Sequence, residues 1–472
     1  MNDRAIAAAL AALVLAARLP FESHALWAWN SVLFARALEQ GFHVDAELSG
    51  QRPYPPGYIF YIASAALVRP LVGDSNAALV AVSVIASALC AAAVYLLCRR
   101  FAGRTLSLTV ALGAAFAPLA WTFGEVAMPY AVLGLLSIAV AAAFRAARSR
   151  AWPAAPAASL AFGLASGYRQ DLLLVLGPLW LWLVVSRSWR ERAWCAAALG
   201  AGCLAWIIPT ALLSGGPVAL ASSLGRQAAF VGGLSPAGGG ADTLVRNTLL
   251  TVYSLWWGLL GFAFLFIAAL IAGARARLRA AGETTAFFVL WIAPAALLYA
   301  LIQIGGPGYL LSILPALYVA CAALLARAAG AARPAAVALA AALAAVNAGV
   351  FLVSDAPFSA QAIATHDRSL EERVTLVRDR FPPQGTVILA QVEYLTARYY
   401  LPEYRVLFYG AHPEALARAA REVRVTAPTT VVVFGALTVP LPATFRLNGD
   451  DPVRWGGVDP ASALVAHDLE PP

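Results

Sequence analysis

The stretch AALVAVSVIASALCAAAVYLLC, residues 77–98, is an unbroken run of 22 small or apolar residues that ends directly before Arg99 and Arg100. A helix that crosses the hydrocarbon core of a bilayer needs about 20 such residues, and a basic pair after a span is typical of its cytoplasmic end. The run therefore predicts a transmembrane helix. The whole chain agrees, because 61% of its 472 residues are hydrophobic and 12% are charged, whereas an ordinary soluble domain has about 25% charged residues.

Ten further apolar runs, bounded by charges, proline or glycine, indicate spans on the same grounds. We therefore expect a polytopic α-helical membrane protein with about 11 transmembrane helices. They lie at 5–19, 77–98, 105–121, 126–144, 154–166, 172–185, 193–213, 249–272, 285–302, 309–326 and 335–353. The first is predicted to be a retained anchor, since no convincing cleavage site follows it. The fifth and sixth are short, and whether this hairpin crosses the bilayer fully stays open.

All 33 basic residues are arginines, and their positions predict the orientation of the chain. Residues 1–354 contain 22 arginines and 11 acidic residues, and a cytoplasmic N-terminus places 15 of those arginines in cytoplasmic turns. This agrees with the positive-inside rule. The net charge of +8 thus reflects membrane topology, and we expect no nucleic-acid partner. We predict a multi-pass protein of the plasma (inner) membrane whose N-terminus is cytoplasmic and whose acidic residues lie mostly on the extracytoplasmic face.

The composition becomes that of a soluble protein after residue 354, where 11 arginines are balanced by 14 acidic residues. Apolar, β-branched runs predict three strands and polar periodic segments predict two helices. The strands are expected at 386–390, 405–409 and 430–434, and the helices at 366–380 and 413–422. Together they predict a small C-terminal extracytoplasmic α/β domain.

Two domains are therefore expected. A transmembrane domain covers 1–354, with a long first outer loop at 20–76 that contains interfacial helices, and an extracytoplasmic soluble α/β domain covers 355–472. The segment 214–247 is rich in Gly, Ser and Pro and is expected to be an outer loop.

The cysteines and histidines predict neither a disulfide framework nor a metal site. The five cysteines lie in apolar stretches without CxxC spacing. The five histidines show no metal-ligand spacing with one another. A divalent cation held by His24 with Glu22, or by His43 with Asp45 and Glu47, is an open but weaker alternative, and we predict no cofactor.

Glu22 directly follows the first predicted span, and His24 lies two residues further on. A carboxylate held at the membrane surface under aromatic side chains is poorly solvated, which suits it to accept a proton from a hydroxyl group. The alternative is that Glu22 caps the N-terminus of the helix that follows, where the helix dipole favours negative charge.

Glu125 lies in the outer turn between the third and fourth predicted spans and is the only ionised group in that apolar hairpin. Charged groups near membrane depth are costly and are candidates for function. Two carboxylates on one face allow one to act as a base while the other positions the acceptor. The alternative for Glu125 is a solvated turn residue.

Arg169 lies in the tight outer turn Gly167–Asp171, on the side that the positive-inside rule disfavours. The planar guanidinium is suited to a bidentate contact with phosphate. The alternatives are an ion pair with Asp171 or Glu125, or contact with lipid headgroups. A second Gly/Pro-rich break, residues 303–309, precedes the tenth span and is read either as a loop or as a place where backbone approaches a lipid headgroup.

An ordered set of motifs across nearly the whole chain resembles the GT-C superfamily of polytopic glycosyltransferases. It is similar to family 39, the protein O-mannosyltransferases and the aminoarabinose transferases. The motifs are Glu22 after the first span, YPPGY at 54–58, RRFAGR at 99–104, Glu125 with Tyr130, GLASGYR at 163–169 and GYLLSILPAL at 308–317.

The resemblance implies an inverting transfer of a sugar from a polyprenyl-phosphate donor to an acceptor on the extracytoplasmic face. It also implies a first-loop carboxylate as general base, which places that role on Glu22, with Glu125 as the second catalytic carboxylate. Donor-phosphate binding is assigned to Arg169 and Tyr168. Substrate positioning is assigned to four residues: His24, Tyr54, Tyr58 and Tyr309.

The expected partners are the lipid bilayer, the donor lipid, and an acceptor that is a lipid, a polysaccharide or a protein. A phosphate leaving group needs a cation and an acceptor base but no strong general acid, which agrees with these assignments. Two alternatives stay open. One is a transporter or lipid flippase, and the other is a catalytically inactive envelope-assembly protein, because Glu22-Ser23 stands where the family usually has an aspartate.

Overall fold

The computed structural model describes residues 2–46, 52–150, 152–233, 235–275, 282–302, 304–328, 333–410, 420–442, 445, 447–448, 453–458 and 464–469. The chain divides into two compact units. The helical unit consists of Met1–Glu22, Tyr58–Ala211 and Ala228–Ile363, and the sheet unit consists of Ser23–Gly57, Leu212–Gln227 and Ala364–Pro472.

The described residues form α-helices along most of the chain. They are α1 (Asp3–Arg18), α2 (Trp29–Gln40), α3 (Ile59–Val72), α4 (Ser75–Cys98), α5 (Arg104–Ala115), α6 (Pro118–Glu125), α7 (Tyr130–Arg148), α8 (Ala154–Ala165), α9 (Leu172–Val185), α10 (Trp189–Leu213), α11 (Pro217–Gly233), α12 (Pro236–Leu259), α13 (Gly261–Arg275), α14 (Gly282–Leu301), α15 (Leu314–Ala328), α16 (Arg333–Val353), α17 (Ala360–Arg380) and α18 (Tyr394–Tyr400). Short 3₁₀ helices at Leu19–Phe21 and Pro307–Ser312 extend α1 and precede α15.

The helices are consistent with a multi-pass membrane protein, but the predicted count of eleven spans is not confirmed. Among the described residues, six helices are long and apolar enough to cross a membrane, or up to eight if each of two bent pairs is one span. The runs predicted at 105–121 and 249–272 are these bent pairs, with angles of 58° between α5 and α6 and 96° between α12 and α13. Pro118 begins α6, and Leu260 breaks the second pair with a left-handed φ of 44°.

The predicted short hairpin is present as α8 and α9, of 12 and 14 residues. At 1.5 Å per residue these helices are about 18 and 21 Å long, less than the roughly 30 Å of a hydrocarbon core. The expectation of a loop at 214–247 is wrong, because α11 and the first turns of α12 occupy that segment. Its glycines lower helix propensity without preventing these helices, and α12 has a kink at Gly240, whose φ of 69° and ψ of −160° are not helical.

Helix α4, which contains the stretch 77–98, lies at the centre of the helical unit and packs against α1, α3, α5 and α7. The carboxylate of Asp74 caps its first turn by accepting a hydrogen bond from the Ala77 amide at 2.8 Å. At the other end, Arg99 and Tyr95 both donate to Asp3 at the start of α1. These contacts fix α1 along α4 and so determine where the far end of α1 lies.

The sheet unit contains six strands in the order β3-β6-β2-β1-β4-β5. They are β1 (Thr386–Ala390), β2 (Arg405–Phe408), β3 (Arg421–Val425), β4 (Thr430–Phe434), β5 (Arg454–Gly457) and β6 (Leu464–Asp468). Strand β1 pairs in parallel with β2 and β4, and the outer pairs are antiparallel. The three predicted strands are confirmed as β1, β2 and β4, and the helix predicted at 366–380 lies within α17.

The second helix predicted for this region is wrong where it can be compared. Residues 413–419 lie outside the described part of the chain, and residues 421 and 422 begin β3 instead. One face of the sheet packs on a core that includes Leu389, Leu407 and Val431, all fully buried.

Candidate functional site

Arg169 is buried in the turn between α8 and α9, where 3% of its surface is exposed. Its Nε and Nη2 donate to Asp171 Oδ1 and Oδ2 at 3.1 and 2.7 Å, which is a side-on bidentate pair. Of the interpretations left open by the sequence, the ion pair with Asp171 is confirmed. Burial alone would lower the pKa of Arg169, but the adjacent carboxylate raises this pKa well above its usual value, so the guanidinium stays charged.

Three tyrosine rings surround this guanidinium. Its central carbon lies 5.4 Å from the ring centroid of Tyr58, 5.0 Å from that of Tyr130 and 4.6 Å from that of Tyr309. A cation within about 6 Å of a ring centroid is attracted to the aromatic ring, and this cation–π attraction is strongest where water is excluded. Burial raises the pKa of Tyr58, so this phenol stays neutral. Arg169, Asp171 and the three tyrosines are called the arginine cage below.

The backbone around the cage explains why the sequence carries its glycines there. An added Cβ at Gly308 would collide with the ring of Tyr130, so a side chain at this position would push that ring out of place. The hydroxyl of Tyr299 donates to the carbonyl of Tyr309 at 3.0 Å and holds the 3₁₀ turn. Tyr58 itself has a left-handed φ of 54°, which a bulky residue adopts only when its surroundings require it.

Tyr168 does not join the cage. Its hydroxyl lies 3.0 Å from Ser64 Oγ of α3, and its ring packs edge-on against Phe60. The Phe60 amide also donates to the carbonyl of Gly167 at 3.2 Å. Tyr168 thus anchors the turn to α3, while Arg169 beside it points into the cage.

Glu125 is fully buried at the end of α6, so its interpretation as a solvated turn residue is wrong. Its Oε1 accepts from Trp121 Nε1 at 2.9 Å and from Arg18 Nη1 at 3.5 Å. Its other oxygen, Oε2, is buried without a hydrogen-bond partner among the described residues. The ion pair of Glu125 with Arg169, which the sequence left open, is not formed.

Arg18 is the residue that sequence reasoning missed. It is 1% exposed at the end of α1, and besides Glu125 it donates to the carbonyls of Trp121 and Ala115, both at 3.0 Å. Gly124 leaves room for it, since a Cβ there would lie 2.9 Å from Arg18 Cζ. The signal was present, because an arginine at the predicted outer end of the first span is as unusual under the positive-inside rule as Arg169.

A small cavity of about 40 Å³ adjoins Arg18 and is also lined by Ser87 and Cys90. It is large enough for a water molecule. On another side, the Trp121 ring stacks on Phe351 with centroids 4.1 Å apart. The ion pair of Arg18 and Glu125 therefore lies in a low-dielectric environment, and the cavity beside Arg18 has little room for water.

Glu22 ends the 3₁₀ helix Leu19–Phe21 and is half-buried. It does not cap the next helix, since α2 begins seven positions later, at Trp29, with Ala28 at its N-cap. The alternative interpretation as a helix cap is therefore wrong. The negative charges of Glu22 and Glu125 act on each other within the helical unit.

His24 and Tyr54 belong to the sheet unit. His24 is exposed, and its amide donates to Asp367 Oδ2 at 2.6 Å. Tyr54 is half-buried, and burial raises the pKa of its phenol. No group of three His, Cys, Asp or Glu side chains in the described parts of the chain could hold a metal ion, and Glu47, a residue of the proposed alternative, lies outside those parts.

Comparison with known proteins identifies the fold. Residues 54–212, about a third of the chain, match the family model of dolichyl-phosphate-mannose-protein mannosyltransferase. The structure of ArnT from Cupriavidus metallidurans bound to undecaprenyl phosphate is similar over 99% of both chains, with a TM-score of 0.58 and 13% identity. The resemblance to the GT-C superfamily is confirmed. The chain is a multi-pass membrane protein with a GT-C fold.

Two further structures share this GT-C fold. Apo ArnT from the same organism has a TM-score of 0.56 and 14% identity over 99% of this chain and 98% of that one. The Archaeoglobus fulgidus oligosaccharyltransferase in complex with Zn and sulfate has a TM-score of 0.50 and 14% identity, over 86% of this chain and 62% of that one. No curated protein matches the chain by sequence.

Proposed function

We propose that this GT-C protein is an inverting glycosyltransferase that moves a sugar from a polyprenyl-phosphate donor to an acceptor on the extracytoplasmic face. The arginine cage is the observation that carries the proposal. A buried cation is costly in a membrane protein and is a candidate for function by default. The ArnT structure with undecaprenyl phosphate supports a donor of this class.

Arg169 is proposed to stabilise the departing lipid phosphate. Asp171 occupies Nε and one hydrogen of Nη2, so the Nη1 edge of the guanidinium faces away from that carboxylate. A phosphate oxygen approaching this edge would receive charge-assisted hydrogen bonds, which are about twice as strong as neutral ones. Tyr58 and Tyr309 flank this guanidinium, which supports their proposed role in positioning the donor.

Glu22 is proposed as the general base. The acceptor oxygen attacks the anomeric carbon as its proton passes to the Glu22 carboxylate, the bond from that carbon to the phosphate oxygen breaks, and the polyprenyl phosphate leaves as an anion. Attack from the face opposite the phosphate inverts the configuration. Glu22 is the more exposed of the two predicted carboxylates, while Glu125 is engaged with Trp121 and Arg18. Glu125 is therefore proposed to position and tune Glu22.

The test is transfer of labelled sugar from polyprenyl-phosphate donors in membranes that contain the wild-type protein or Glu22→Gln. Loss of a general base lowers transfer about 10²–10⁴-fold. Glu283→Gln is the matched control, because Glu283 is a carboxylate that is 65% exposed and pairs with Arg148, which is not part of the cage. Unimpaired transfer by well-expressed Glu22→Gln would contradict the base assignment. Mass spectrometry of envelope glycans with and without the gene would name the sugar and the acceptor class.

A further inference from the structure

The sheet unit contains an open cavity of about 670 Å³ beside the carboxyl ends of two parallel strands. Gln391 and Glu393 line it directly after β1, and Phe408 lines it at the end of β2. Arg373 of α17 also lines the cavity. This volume lies within the roughly 300–1,000 Å³ that is usual for small-molecule sites.

The position of the cavity in the sheet is one at which α/β folds bind ligands. Strand β1 has parallel neighbours on both sides, β2 and β4. The chain leaves β1 through α18 to reach β2 on one side and arrives at β4 on the other side later. Ligands of open α/β sheets bind outside the carboxyl ends of the strands at such a switch point. The cavity opens at this place.

Two tryptophans at the start of α2, Trp27 just before the helix and Trp29 as its first residue, provide the aromatic wall. The Trp27 ring packs against that of His366, with centroids 4.6 Å apart at an angle of 41°. Trp29 Nε1 donates a hydrogen bond to the carbonyl of Val392, so this second indole is fixed as well. Aromatic surfaces held in one orientation lose little conformational entropy when a ligand binds.

The polar groups of the cavity form a balanced set. Arg373 Nη1 donates to Glu393 Oε2 at 2.6 Å. The side-chain oxygen of Gln391 accepts from the amide and hydroxyl of Thr438 at 2.6 and 3.0 Å. Among the described residues that line the cavity, Arg373 is the only arginine and is paired with Glu393, the only carboxylate, which disfavours a phosphate or a nucleotide. Guanidinium donates and carboxylate accepts, so the pair suits a ligand whose groups can do both.

We infer that this cavity is a binding site for a neutral saccharide ring. A pyranose has apolar C–H faces that stack on indole, and its hydroxyls both donate and accept hydrogen bonds. Trp27 and Trp29 would contact the ring face, and Arg373 and Glu393 would bind the hydroxyls. The choice of ligand class rests on the proposed function, with an acceptor that is a saccharide or carries one.

The experiment is saturation-transfer NMR of the full chain in detergent micelles. The probes are N-acetylglucosamine, methyl α-D-mannopyranoside and methyl β-D-galactopyranoside, with inorganic phosphate as a charged competitor. Trp27→Ala removes part of the wall, and Val392→Trp fills the cavity from a position that is 53% exposed. Trp189→Ala is the matched control, since Trp189 lies in the helical unit and is 80% exposed.

We expect at least one probe to receive saturation at the protons of one ring face, in the wild type and in Trp189→Ala alike. Binding should be roughly tenfold weaker in Trp27→Ala and in Val392→Trp. The inference is overturned if no probe binds, if phosphate displaces the probe, or if both cavity variants bind as the wild type does. Because Val392→Trp retains both tryptophans, a folding defect of Trp27→Ala does not decide the outcome.

Transfer assays on the same proteins separate this inference from the proposed function. Saccharide binding without transfer from any polyprenyl-phosphate donor leaves the cavity assignment standing and contradicts the function. Transfer that is equally fast in the wild type and Val392→Trp at low acceptor concentration, together with unchanged probe binding, contradicts the cavity assignment alone.

Discussion

Replacing Arg18 by methionine tests the buried polar contacts of the helical unit. The substitution keeps an unbranched side chain but removes the guanidinium. Glu125 and the backbone carbonyls of Trp121 and Ala115 then lose the hydrogen bonds that Arg18 donates to them. Glu125 itself stays fully buried. The lost contacts join α1 to α5 and α6, so their removal should weaken packing between these helices.

The expected magnitude follows from the burial of both partners. Removing one member of a buried ion pair costs about 3–5 kcal/mol, because the remaining charge is left uncompensated. Glu125→Gln should cost less, about 1–3 kcal/mol, since Arg18 keeps its two backbone carbonyl acceptors and the amide oxygen can still accept from Trp121. In the double variant no charge is left alone, so its cost should be about 1–3 kcal/mol below the sum of the single costs.

The assay is reversible unfolding of the purified protein in mixed micelles with increasing SDS, which gives a free energy of unfolding for each variant. Arg4→Met is the matched control, because Arg4 is an exposed arginine on the same helix, and it should stay within about 0.5 kcal/mol of the wild type. A cost below about 1 kcal/mol for Arg18→Met, or additive costs in the double variant, would refute the reasoning.

Two further predictions concern the arginine cage. Arg169→Lys keeps the charge but not the side-on pair with Asp171, so KM for the polyprenyl-phosphate donor should rise at least about tenfold; an unchanged KM in steady-state transfer assays would argue against phosphate binding here. Gly308→Ala places a methyl group where it collides with the ring of Tyr130, and it should lower the free energy of unfolding by about 1–3 kcal/mol. Gly349→Ala is the control, because its Cβ meets nothing within 4 Å and should not destabilise the protein.

Local patterns predicted the elements of this fold better than they predicted its bends. The helix at 77–98 and the strands at 386–390 and 430–434 were predicted from continuous apolar runs. Such a run has to be buried, so the prediction does not depend on which elements it packs against. The bends at 105–121 and 249–272 depend on single residues within apolar runs, such as Leu260, whose conformation is set by packing. A hydropathy pattern carries no information on that packing.

The site was predictable only where its partners are close in sequence. The pair of Arg169 with Asp171 was one of the open alternatives, because the two charged residues are only two positions apart. The pair of Arg18 with Glu125 spans 107 positions and depends on α1 lying along α4, which no local pattern encodes. The direction of Tyr168 away from the cage likewise depends on Ser64 of a different helix.

The two buried arginines differ in what surrounds them, and this difference separates their proposed roles. Arg18 is bound by two backbone carbonyls and a carboxylate, which are groups that the fold itself must satisfy. Arg169 is bound on one edge by Asp171 and is otherwise flanked by the rings of three tyrosines. A buried ion pair alone gives weak evidence of stabilisation. This difference supports a structural role for Arg18 and the proposed anion-binding role for Arg169.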